Sequence, residues 1–189
     1  MFTVFISCAL PCASIASFQA SSHCRVPTLW YHSLLPTFLD GLAAYICLVE
    51  TLNFSLANIF LYGDSAGGNL VLALTRYLHN APASGLESTL PSPPSAILLQ
   101  SPWTDPSSTH IPSGPGPPSS STIINVKTDT LDRSPRSPAT IGYIGLKGKH
   151  MSDKEARTNI LISPGSLDIP NNGDGLFKRY PRTHVLVGG

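Results

Sequence analysis

Asn58-Ile-Phe-Leu-Tyr-Gly-Asp-Ser-Ala-Gly-Gly-Asn-Leu70 is the stretch on which the reading of this chain turns. An apolar, β-branched and aromatic run from Ile59 to Tyr62 leads into a glycine-flanked serine. Beyond it, Leu70, Val71, Leu74, Tyr77 and Leu78 recur as one helical stripe. Between the two, Gly63-Asp64-Ser65-Ala66-Gly67, followed by Gly68, fits G-x-S-x-G, a strand-to-helix elbow that holds a serine in a strained turn. Where the chain reverses so tightly, a side chain at Gly63 or Gly67 is expected to collide with its neighbours. The N–H of Ala66, opening the helix, is expected to point at the oxyanion formed when Ser65 attacks an acyl carbon. A phosphate cradle fits poorly, since no Lys follows the glycines and no G-x-G-x-x-G occurs.

Length and composition narrow the field. A chain of 189 residues, 42% of them hydrophobic, is the size of one domain with a packed core. Its formal charge of +1 offers no basic patch to neutralise phosphates, so no nucleic-acid partner is expected. The chain has eighteen prolines and fifteen glycines, and most of them lie in the second half, where they break up long regular elements. Cys8, Cys12, Cys24 and Cys47 match no zinc-finger or ribbon spacing, and even with His23 they lack a paired C-x-x-C, so no metal site is expected.

The first ten residues are apolar, and no charged residue precedes Arg25. This is the apolar core of a signal-like leader without its positive n-region, or else a buried strand containing Phe2, Val4 and Phe5. The missing n-region weighs toward the cytoplasm over secretion, and the run is too short to span a membrane, so no membrane contact is indicated. Residues 1–35 are therefore set apart as an uncertain leader, which leaves 36–189 as the domain. From Pro36 a helical stripe appears in Phe38, Leu39, Leu42, Tyr45, Ile46 and Val49, with Pro36 in its first turn and Asn53 at its end. After the elbow helix, Ala96-Ile-Leu-Leu-Gln100 supplies a second strand and Thr183-His-Val-Leu-Val187 a third. The alternation implies an α/β fold, a parallel sheet with flanking helices. Residues 105–138, rich in Ser, Pro, Gly and Thr, read as an irregular excursion. Ser152 and Glu155 have capping-box spacing before a short helix.

Four stretches resemble the hormone-sensitive-lipase-like group of α/β-hydrolases, also called the alpha/beta hydrolase fold-3 group, in particular its fungal esterase-like members. They are the helix through Asp40-Gly-Leu-Ala-Ala-Tyr45, the Gly63-Asp-Ser-Ala-Gly-Gly68 elbow, Ser101-Pro-Trp103 with its preceding strand, and Ile162-Ser-Pro164 through Pro181-Arg-Thr-His-Val-Leu-Val-Gly-Gly189. The resemblance implies a carboxylic-ester hydrolase with Ser65 as nucleophile, a small-molecule ester as substrate and no cofactor. A serine peptidase of the same fold uses a similar elbow and is the alternative within enzymes.

Two features of the group are missing. No His-Gly-Gly-Gly run, the group's other source of oxyanion N–H groups, occurs before Pro36. Triad order in this fold is Ser, then Asp or Glu, then His, and the resemblance puts both partners beyond Gly189. The expectation is an incomplete α/β-hydrolase fold, short at both ends and catalytically impaired, or a non-catalytic product that binds a partner. His110, His150 and His184 are not aimed at Ser65 by any sequence signal, and Asp105 and Asp168 read as loop or cap residues. With three parallel strands alone, both sheet edges are expected to be open.

Overall fold

The computed structural model describes residues 2–9, 15–22, 34–80, 90–107, 109, 143–144 and 151–187. Its centre is a parallel trio: β3 (Ile59–Asp64) pairs with β4 (Ala96–Gln100), and β4 with β5 (Arg182–Leu186). The register sets Asp64 against Gln100 and Gln100 against Leu186, so the three strands end level. Ile59, Leu61, Ile97 and Leu99 are buried on one face, whereas Phe60, Tyr62, Ala96 and Leu98 on the other are half-buried. The apolar run Ile59 to Tyr62 is thus buried on one side and half-buried on the other.

Helices α1 (Leu34–Ile46) and α2 (Ala66–Asn80) seal that face. Tyr45 from α1 and Leu70, Val71, Leu74 and Leu78 from α2 join the buried strand residues in a single cluster. Removing a side chain such as Val71 or Leu78 from water contributes about 1.5–3 kcal/mol. Phe38 meets Tyr77 edge to face at 5.3 Å, which joins the two helices. The expected stripe holds for Phe38, Leu42 and Tyr45 on α1 and for Val49 just beyond it, but Leu39 is 54% exposed. Helix α1 runs on into a wider turn, Cys47–Thr51, closed by the Leu52 N–H donating to the Cys47 carbonyl at 2.9 Å. Asn53, at φ 54°, then stops it, because asparagine tolerates the left-handed region better than most side chains.

Helix α2 is buried around most of its circumference from Ala66 to Arg76, a wider face than the expected stripe. The reason lies in the turns before β5, where Tyr180 donates its hydroxyl to the Leu72 carbonyl at 3.1 Å. The same ring sits 4.8 Å from the Arg76 guanidinium. The short helix near residue 152 is α3 (Asp153–Thr158), with the capping box complete in both directions. No helix among the described residues is long and apolar enough to cross a membrane.

The edges depart from expectation. β1 (Phe2–Ala9) pairs antiparallel with β3, Val4 opposite Gly63 and Cys8 opposite Ile59, and β2 (Ile15–Ser22) pairs antiparallel with β1. The order across the sheet is β2-β1-β3-β4-β5. One expected open edge is therefore occupied: the N–H and C=O groups along β3 take partners from a β-prone apolar segment early in the same chain. The other edge is as expected. Every residue of β5 is exposed, with Val185 at 53% and Leu186 at 54%, so this strand is apolar without being buried. Most of the excursion at 105–138 lies outside the described residues.

Candidate active site

Ser65 lies between β3 and α2 at φ 55°, in the left-handed region. For a residue with a β-carbon this backbone costs on the order of 1–2 kcal/mol, and persists only where the surroundings hold it. Here the holding groups come from the end of β4. Ser65 donates its N–H to the Gln100 carbonyl at 3.0 Å, and its own carbonyl accepts from the Trp103 N–H at 2.9 Å and the Asn69 N–H at 3.2 Å. A β-carbon on Gly63 would run into the Gly67 carbonyl and stand 2.6 Å from the Gly68 nitrogen. One on Gly68 would stand 2.8 Å from the Pro102 β-carbon. Close approach therefore excludes side chains at Gly63, as expected, and also at Gly68, while Gly67 supplies the carbonyl that Gly63 faces.

Ser65 and Asp64 are half-buried and Ala66 is buried. Because Ala66 is the first residue of α2, its N–H belongs to the set that finds no acceptor within the helix. The elbow lies at the carboxyl ends of β3 and β4, where open parallel sheets carry their ligands.

Behind the elbow lies a polar junction that the sequence reading missed. The Asn69 side chain is fully buried, and its Nδ2 donates to the carbonyls of Trp103 and Ile162, each at 2.7 Å. Its Oδ1 accepts from the Tyr143 hydroxyl at 2.8 Å, and the Tyr143 ring lies 5.4 Å from that of Trp103. Burial pushes the Tyr143 hydroxyl well above the usual tyrosine range, which keeps it a neutral donor. An amide one turn inside an otherwise apolar helix was the available signal, since a buried amide must find partners for both ends. Nearby, Gly165 donates its N–H to the Thr104 carbonyl at 2.8 Å. The Ser101-Pro-Trp segment and the Ile162-Ser-Pro segment, distant in sequence, are thereby brought together.

Asp105 and Asp168 are loop ties, as read from sequence. Asp105 accepts from Ser107 Oγ at 2.5 Å, from the Thr109 N–H at 2.6 Å and from Thr109 Oγ1 at 2.7 Å. Asp168 pairs with Arg157 at 3.1 Å. His184 sits on exposed β5, opposite Leu98, and His79 packs against Tyr180 with ring centres 6.4 Å apart. No described histidine is hydrogen-bonded to Ser65; His110 and His150 lie outside the described residues. No group of three metal-ligating side chains occurs among the described residues.

No match was found among curated proteins or among solved structures. A family profile described as alpha/beta hydrolase fold matches residues 32–189, a span that holds the elbow, both helices and the parallel trio. A left-handed serine between a parallel strand and a helix, bonded to the end of the next strand, is the local geometry that such a fold requires. The chain belongs to the alpha/beta hydrolase fold family.

Proposed function

We propose that the protein is a carboxylic-ester hydrolase acting by acyl transfer through Ser65. The observation that carries this reading is the left-handed backbone of Ser65, held by hydrogen bonds to Gln100 and Trp103. Strain of that kind is expected where a serine hydroxyl must stand clear of its own turn. In the reaction, a base takes the Ser65 proton, the oxygen adds to the ester carbonyl, and the N–H of Ala66 donates to the developing oxyanion. The alkoxide leaves with a proton, and water then releases the acid from Ser65. The substrate is a small ester, and the scheme needs no cofactor.

Turnover is proposed to be slow. A general base must reach the hydroxyl directly or through one water, and neither His79 nor His184 is bonded to it. Loss of triad partners costs serine hydrolases about a millionfold in turnover, the remainder coming from the oxyanion hole and binding. Hydrolysis of short p-nitrophenyl esters by the full chain and by Ser65→Ala tests the proposal. Slow release that disappears in Ser65→Ala supports it, and equal rates in the two proteins contradict it. Cleavage of peptide amides in preference to esters would favour a peptidase.

The exposed β5 strand supports a second reading, a non-catalytic protein whose sheet edge binds a partner. Ser65-independent behaviour in the ester assay would move the balance toward it.

A further inference from the structure

Three backbone segments meet at one buried amide. Asn69 donates its main-chain N–H to the Ser65 carbonyl, and its side chain donates to the Trp103 carbonyl. Trp103 in turn donates its N–H to that same Ser65 carbonyl. The result is a closed ring of Ser65, Asn69 and Trp103, in which Trp103 is held by both its N–H and its C=O. The second Nδ2 proton of Asn69 goes to Ile162, which fixes the amide in the plane that serves Trp103, and Tyr143 fixes its oxygen.

This arrangement has more specificity than burial alone requires. A leucine would fill a similar volume inside an apolar helix, but would take the Asn69 donors away from the Trp103 and Ile162 carbonyls and the Asn69 acceptor away from the Tyr143 hydroxyl. The neighbouring Ser163 Oγ is also buried and has no hydrogen-bond partner, so a polar atom in this region is not automatically satisfied. Asn69 uses both donors and its acceptor, and one of the donors holds Trp103, which is itself bonded to the strained serine.

We infer that Asn69 is a positioning residue for Ser65: its side chain holds Trp103 where the Trp103 N–H keeps the Ser65 peptide in its left-handed turn. The functional meaning rests on Ser65 being the nucleophile, but the mechanical claim does not. Without the Asn69 amide, the Trp103 carbonyl loses its donor, and Trp103 is held less firmly where its N–H meets the Ser65 carbonyl.

The test is amide hydrogen exchange on the folded full-length chain, comparing the parent with Asn69→Ala, Tyr143→Phe and Ser163→Ala. Fluorophosphonate labelling of the parent reports separately whether Ser65 is nucleophilic. In Asn69→Ala the Trp103 amide is expected to exchange about tenfold faster relative to the amides of β3 and β4, the scale of one lost buried hydrogen bond. Tyr143→Phe, which leaves both carbonyl bonds in place but frees the amide oxygen, is expected to give an increase of about two- to threefold. Ser163→Ala is expected to leave the ratio unchanged. If Asn69→Ala does not fold, the Tyr143→Phe ratio decides. A Trp103 amide that keeps its parental ratio to β3 and β4 overturns the inference, because a merely structural Asn69 changes all these amides together.

Discussion

Gly63 faces the Gly67 carbonyl so closely that the space for a β-carbon at position 63 is already occupied by the peptide unit four residues later. The turn is thus built on backbone-to-backbone contact, and neither side can yield without changing the angle between β3 and α2. Gly63→Ala is expected to destabilise the fold by about 1–3 kcal/mol or more, the scale of overpacking against an unyielding neighbour. Gly41, on helix α1, has nothing within 4 Å of where a β-carbon would go. Gly41→Ala is therefore expected to stabilise by about 0.5–1 kcal/mol. Thermal melts of the two variants check the contrast, and a similar loss in both would contradict it.

A second prediction concerns alkaline pH. Burial raises the hydroxyls of Tyr45 and Tyr143 above the ordinary tyrosine value of 10.0, and that of Tyr180 too, although Arg76 pulls Tyr180 partly back. In the unfolded chain these groups ionise near the ordinary value. Their contribution is therefore fully present below pH 10 and is lost progressively above it, as the unfolded state releases protons that the folded state retains. Denaturant midpoints are expected to fall from about pH 10 upward, and Tyr143→Phe is expected to flatten that fall. An unchanged slope in Tyr143→Phe would show that the folded hydroxyl ionises like the unfolded one.

What was legible in the sequence follows from the range of the interactions involved. The elbow, β3, α2, β4 and the capping box are local patterns, set by side chains within a few positions of one another, and each appears where its residues imply. Ser65 could be picked out because its glycines are local too. The grip of Asn69 on Trp103 and Ile162 spans up to 93 positions, and no periodicity encodes such a pairing. The strand β1 was one of two readings open for an apolar segment, and its choice of the β3 edge depends on which edge is left unpaired. The stripe on α2 was read too narrowly because Tyr180 and its turn, 108 positions away from Leu72, cover a face that the helix pattern alone assigns to solvent.

A third prediction concerns acid. The Glu155 carboxylate accepts from the Ser152 N–H and the Ser152 hydroxyl, each at 2.7 Å, and both bonds hold it below the usual glutamate value of 4.5, the backbone bond more strongly. For a depressed carboxylate the stabilisation is present above the unfolded value and is lost as pH falls through the folded one. Glu155→Gln is expected to flatten the stability profile between about pH 5 and pH 3 relative to the parent. Identical profiles would show that the capping box carries no charge dependence.

The fourth prediction addresses the exposed strand. Val185 and Leu186 lie on β5, whose outer N–H and C=O groups have no strand beyond them among the described residues. Edges of this kind associate with other chains unless a charge interrupts them. Val185→Lys, at a residue already 53% exposed, is expected to reduce concentration-dependent light scattering with little loss of folded stability. Scattering that does not change would place self-association elsewhere.

The central claim is that Ser65 is a nucleophile, and the most direct measurement is labelling of the full chain with a fluorophosphonate probe, read by intact mass beside Ser65→Ala. A single adduct on the parent and none on Ser65→Ala is the predicted result, showing that the strained serine is activated although no described histidine is hydrogen-bonded to it. A parent that is folded by circular dichroism and takes no adduct, or takes the same adduct as Ser65→Ala, would contradict the account.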